Sequence, residues 1–261
     1  MLRKERKSGL DATAIKLIAL VIMTIDHLAA YGMSIPFARD NYLLMRQIGR
    51  AAAPLFLFAF TDSMRHTRNR KALLLRLYTA SVLVGVGNAV LGELLKCSFG
   101  NILQTFAWTA ALVFSIDAFL ERKSLKAFGL FSAALLLSAF TDALILRVAP
   151  THFWIDAVRA FICPPVQAEY SVGMIALGVL WYYIGDKNYC AVLLLILCVP
   201  AYFGFYQTPE LIMFSGIQQY MALAVPFILF YNGEKGRGMK NFFYIYYPLH
   251  VWLIAAVNKL I

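Results

Sequence analysis

Runs of about twenty apolar residues recur along the chain, separated by short polar or basic segments. A membrane-spanning helix needs ~20 mostly apolar residues, and nine stretches have that character: residues 12–33, 41–64, 72–95, 101–119, 125–148, 166–184, 189–205, 211–231 and 242–260. The pattern predicts an all-α fold, a polytopic membrane bundle of about nine transmembrane helices with its N-terminus in the cytoplasm. A shorter apolar stretch, 152–163, carries Asp156 and Arg159 and is stopped by Pro164-Pro165. It is expected to be an interfacial or re-entrant helix; if it crosses, the count becomes ten. No soluble domain, long linker or convincing repeat interrupts the series, so residues 1–261 read as a single transmembrane domain.

Composition agrees with the pattern. Of 261 residues, 61% are apolar and 15% charged, where a soluble domain carries ~25% charged residues; mean hydropathy is +0.68. A disordered chain, a secreted disulfide scaffold and a soluble enzyme are excluded. Cys97, Cys163, Cys190 and Cys198 form neither a CxxC pair nor a zinc-ligand spacing, and no metal is expected.

The net charge of +10 suggests an anionic partner until the cations are sorted by side. With nine spans and a cytoplasmic N-terminus, seventeen of the 24 Lys and Arg fall on the cytoplasmic side and five on the other. That is the positive-inside pattern, so the excess sets orientation and no nucleic acid is expected. The basic start followed by an apolar run resembles a signal peptide, but the run is too long and contains Asp26 and His27, which favours a retained helix.

Two cations, Arg46 and Arg50, fit neither side and lie within the second span. An ionisable side chain in hydrocarbon costs ~2.5–3.5 kcal/mol on insertion scales, so each one is a functional candidate. Asp26 and His27 in the first span lie at the same expected depth as the arginine pair, in the outer third. Adjacent helical residues point about 100° apart, so Asp26 and His27 do not share a face, whereas Thr24 and Tyr31 lie on the His27 face. Arg46 and Arg50, at i and i+4, share a face and need a carboxylate or a bound anion. They read either as a structural ion pair with Asp26 or as a polarising, substrate-anchoring pair. His250 lies near the midplane of the last span, beside Pro248. Asn88, Asn101, Gln104, Gln219 and Glu169 are further intramembrane polar groups, each read as helix–helix glue or as part of a binding site. On the cytoplasmic side, Arg65, His66, Arg68, Arg70 and Lys71, with Arg122 and Lys123, serve topology and anionic lipid or clamp the phosphates of a nucleotide-bearing donor. No P-loop, Rossmann glycine set, HExxH or GxSxG is present.

The stretches KLIALVIMTIDHLAA, RQIGRAAAPLFLFAFTDSMRHT, GNILQTFAWTA, FILFYNGEKG and FFYIYYPLHVWLI resemble the TraX family, whose most specific pieces are TIDH, IGRxAxPLFxF, YNGxxG and YPLH. The family takes its name from conjugation systems in which TraX acetylates the N-terminus of pilin, and it is similar to the integral-membrane acyltransferases that modify polysaccharides. The resemblance implies a multi-pass acetyltransferase of the bacterial cytoplasmic (inner) membrane. Acetyl-CoA would be the co-substrate, and an amine or hydroxyl on a pilin-like polypeptide or an envelope glycan the acceptor. It implies that His27 acts as general base, with Asp26 or another neighbour orienting its ring, and that Arg46 or Arg50 stabilises the thioester oxyanion. His250, Asn88, Asn101, Gln104, Gln219, Glu169 and Tyr31 are then expected around the acceptor, and Arg65, His66, Arg68, Arg70, Lys71, Arg122 and Lys123 around acetyl-CoA. An acetyl-histidine intermediate is the variant mechanism. Two other classes fit buried ionisable groups: a transporter or flippase, and a non-catalytic pilus or envelope assembly factor.

Overall fold

The computed structural model describes residues 8–122, 125–162, 164–203 and 216–261. Their regular structure is helical, and five helices are long and apolar enough to cross a membrane: Ala12–Tyr31, Tyr42–Arg65, Arg70–Leu95, Ile102–Glu121 and Leu125–Val148. In chain order the elements are α1 (Ala12–Tyr31), α2 (Pro36–Asp40), α3 (Tyr42–Gly49), α4 (Ala52–Arg65), α5 (Arg70–Leu95), α6 (Ile102–Arg122), α7 (Leu125–Val148), α8 (His152–Ile162), α9 (Ser171–Ile184) and α10 (Lys187–Tyr202). A 3-10 helix (Gly216–Ala224), α11 (Val225–Leu229) and α12 (Lys240–Leu260) complete the series.

The later spans depart from the expected pattern. The sixth begins only at Ser171, because Pro164-Pro165 and the left-handed Tyr170 (φ 60°) hold residues 164–170 in turns. The eighth is a 3-10 helix running into the short α11, and its expected start, 211–215, lies outside the described residues, as do 204–205 of the seventh. The last, α12, has the length to cross, but its tyrosines, Asn241 and His250 dilute its apolarity. The short stretch 152–163 is the eleven-residue α8, too short to cross alone at ~1.5 Å per residue.

The backbone clusters into two compact units, residues up to Ser63 with Ile184–Ile261, and Met64–Tyr183. In the first, Asp11 caps α1 by accepting the Ala14 N–H at 2.8 Å, and α1 packs against α3 and α12. Helices α1 and α12 run parallel in fixed register. Thr13 Oγ1 donates to the carbonyls of Lys235 and Arg237, Thr24 Oγ1 meets Tyr246 Oη, His27 meets His250, and the Ser34 N–H donates to Asn258. The partners are 222 to 224 residues apart at every level, so the two helices stay side by side from the YNGEKG loop to their far ends.

In the second unit α5 packs on α6 and α8. Gly85 lets α8 approach: a Cβ there would fall 2.7 Å from the Ala160 Cβ. This is the small-residue contact that lets helices associate in lipid, where burial from water is no longer the driving force. Arg159 pairs with Asp142 of α7 at 2.6 Å, so these two charges neutralise each other.

Candidate functional site

The two faces of α1 separated by the 100° step between Asp26 and His27 carry two different polar assemblies in the first unit. Toward α3, Asp26 accepts from both arginines: Arg46 Nη1 at 2.6 Å on Oδ2 and Arg50 Nη2 at 2.5 Å on Oδ1. Asp26 is 5% exposed and Arg50 6%; the Arg46 side chain is 22% exposed. Asp26 thus lies on the arginines, while the group on the His27 ring is a residue from the other end of the chain.

The local sequence explains why both guanidiniums reach one carboxylate. Pro54 has no N–H and its ring clashes with the carbonyl four residues back, that of Arg50. The second span therefore breaks into α3 and α4 there, and the Arg50 and Ala51 N–H groups turn back to the carbonyls of Gln47 and Ile48 at 3.3 and 3.2 Å. Arg50 Nε also donates to the Arg46 carbonyl at 3.2 Å. Gly49 supplies the space: a Cβ at this position would overlap the Asp26 carboxylate. Gln47, next to Arg46, donates to Tyr220 Oη at 3.0 Å.

Toward α12, His27 Nδ1 lies 2.7 Å from His250 Nε2, with the rings stacked at 4.9 Å between centroids. His250 Nδ1 lies 2.9 Å from the Tyr246 carbonyl oxygen. The Tyr246 ring stacks on His250 at 5.0 Å, and the Tyr31 ring meets His27 edge-on at 5.7 Å. Thr24 Oγ1 donates to the Leu20 carbonyl, so Tyr246 Oη donates to Thr24 at 2.9 Å. His250 is 7% exposed.

The other expected site residues are distributed as follows. Asn88, Asn101 and Glu169 come together in the second unit, where Asn88 donates to the Gly100 carbonyl, Asn101 to the Ser81 carbonyl, and the Glu169 carboxylate lies against Gly100. Gln104 is buried in the first turn of α6. The Asn101 Oδ1 is buried without a hydrogen-bond partner. Gln219 is on the 3-10 helix of the first unit, its Oε1 likewise buried and unpartnered.

The expected donor clamp is partly used for structure. Arg65 donates to the Trp181 and Tyr182 carbonyls at the end of α9. Arg70 pairs with Asp117 at 2.9 Å and lies over the Phe114 ring. His66, Arg68 and Lys71 are exposed; Lys123 and the Arg122 side chain lie outside the described residues. Hydropathy does not single out Asp117, which also accepts from Tyr182 Oη and Tyr183 Oη at 3.1 and 2.8 Å. Its signal was an acidic residue two positions before the predicted end of the fourth span, 101–119. Nor does it single out Tyr246, at the i−4 position to His250.

A family model described as TraX protein matches residues 11–258. The chain belongs to the TraX family. No curated protein and no solved structure matches it. The TraX match spans α1 through α12, so it includes Asp26, Arg46 and Arg50 as well as the histidine on α12, and it ends at Asn258, the residue that ties α12 to Ser34.

Proposed function

We propose that this TraX-family chain is an acetyltransferase of the bacterial inner membrane, carrying acetyl groups from cytoplasmic acetyl-CoA to an amine or hydroxyl at the outer face. The acceptor is a pilin-like N-terminus or an envelope glycan, and the chain crosses the membrane nine times from a cytoplasmic N-terminus. The observation that supports this most is a buried guanidinium pair and an imidazole pair held by adjacent residues of α1, Asp26 and His27, in one compact unit.

In this reading His27 takes the proton from the acceptor N–H or O–H as the new bond to the acetyl carbon forms. The carbon–sulfur bond breaks, and the departing thiolate receives that proton from His27, leaving the acetylated acceptor and CoA thiol. Arg46 commits one of its five N–H donors to Asp26. The remainder stabilise the carbonyl oxygen as it gains charge, which is worth most in a water-poor site. Asp26 holds the arginines in place and keeps two like charges at i and i+4 tolerable.

The test is transfer of labelled acetyl by purified protein in liposomes. His27→Ala is expected to lose transfer by about 10²–10⁴-fold, the usual contribution of general base catalysis, with an unchanged elution profile. Transfer at the normal rate overturns the assignment.

A further inference from the structure

His250 has partners that decide where protons sit. A backbone carbonyl only accepts, so the 2.9 Å contact between His250 Nδ1 and the Tyr246 oxygen requires a proton on Nδ1. A neutral imidazole with a proton on Nδ1 presents a lone pair at Nε2. That lone pair lies 2.7 Å from His27 Nδ1, so His27 Nδ1 carries the proton of this contact. In the neutral His27 ring Nε2 is then the unprotonated nitrogen.

We infer that His250 is a positioning residue that fixes the tautomer and ring orientation of His27, leaving Nε2 as the atom that accepts the acceptor's proton. The Nδ1–H of one ring is held so that the opposite nitrogen does the chemistry, as a buried carboxylate does for the histidine of a serine-protease triad. Here the holder is a neutral imidazole, itself held by a main-chain carbonyl, so no further charge is placed in the hydrocarbon. When His27 gains its proton, the contact to His250 becomes a charge-assisted hydrogen bond and strengthens. Tyr246 serves the same end: its ring stacks on His250, its carbonyl receives the His250 proton, and its hydroxyl is anchored to Thr24 on α1.

The inference rests on His27 being the base, and it is tested by a measurement that needs no activity. The chain has four histidines, His27, His66, His152 and His250, so nitrogen-15 spectra of histidine-labelled protein in nanodiscs are assignable by single substitutions. The wild type is expected to show His27 protonated at Nδ1 and bare at Nε2, with a coupling across the hydrogen bond to His250. His250→Ala is expected to release His27 toward the Nε2–H form favoured by free imidazole side chains. His250→Gln, whose amide oxygen accepts from Nδ1–H, is expected to keep the wild-type form. In the transfer assay His250→Ala should lower kcat by about 10²-fold, the low end of what general base catalysis contributes, with KM for acetyl-CoA unchanged, and His250→Gln should recover most of it. A wild-type His27 protonated at Nε2, or a tautomer indifferent to His250→Ala, overturns the inference. The expected spectra with no acetyl transfer by the wild type would sustain the histidine pair and overturn the acetyltransferase reading instead.

Discussion

Asp26 is the residue on which the α1–α3 contact turns, because it is one carboxylate between two guanidiniums with hydrogen bonds at 2.6 and 2.5 Å. Removing it leaves two like charges facing each other in a nearly dry place. Asp26→Asn is therefore expected to cost about 3–5 kcal/mol, the range for breaking a buried pair. Arg46→Gln should cost less, since Arg46 is the more exposed partner and Arg50 stays paired. Gly49→Ala should destabilise by about 1–3 kcal/mol through overpacking, although alanine is the better helix former. Thermal midpoints in one detergent check the order, and a Gly49→Ala protein as stable as the wild type would contradict the close approach of Asp26. At this scale the site was partly legible: buried charge singled out Asp26, His27, Arg46 and Arg50, and the 100° step separated the first two. The choice between an ion pair and a free anchoring pair was not legible, nor was the partner of His27. His250 is 223 residues away, and no local pattern links positions so distant.

Two sequence features that read as plain spans or motifs become specific devices at the scale of elements. The IGRAAAP stretch is a broken helix whose break, set by Pro54, aims two arginines at one carboxylate. The YNGEKG loop is a strap on the start of α1. Tyr231 Oη donates to Asp62 at 2.6 Å, the Ala12 N–H donates to the Glu234 carbonyl at 2.8 Å, and a Cβ at Gly236 would meet the Asp11 carboxylate at 2.5 Å. With its backbone pinned, the loop leaves Lys235 and Arg237 exposed; in the other basic segment Arg65 and Arg70 are held by α9 and by Asp117, while His66, Arg68 and Lys71 are exposed. Donor phosphates are expected on the loop, whose exposed cations sit on a backbone pinned to α1, with His66, Arg68 and Lys71 as the competing site. Lys235→Ala with Arg237→Ala should raise KM for acetyl-CoA about tenfold, the effect of ~1.4 kcal/mol of lost binding, at an unchanged thermal midpoint. Arg65→Ala should lower the midpoint and leave KM alone. The reverse pattern would return the donor to the segment after α4. The two devices escaped the sequence reading because hydropathy reports apolar length and is blind to a proline break or a loop folded back on a helix start.

Contacts along α1 and α12 fix the direction of the two helices relative to each other. Both helices begin at the YNGEKG loop and end at the Ser34–Asn258 contact, so they run in the same direction. Where both cross a membrane, the chain from the start of α1 to the end of α12 makes an odd number of crossings, as the nine proposed above do. With the loop, Lys235 and Arg237 on the cytoplasmic side, as proposed, Ile261 is expected to face outward. Alkaline phosphatase fused after Ile261 is expected to be active and a fluorescent protein there dark, while a fluorescent protein before Met1 glows. The same signal from both ends would mean that α1 and α12 do not cross as parallel neighbours. The register that brings His27 against His250 would then be lost as well, so a topology assay that never touches the site tests the geometry on which the site depends.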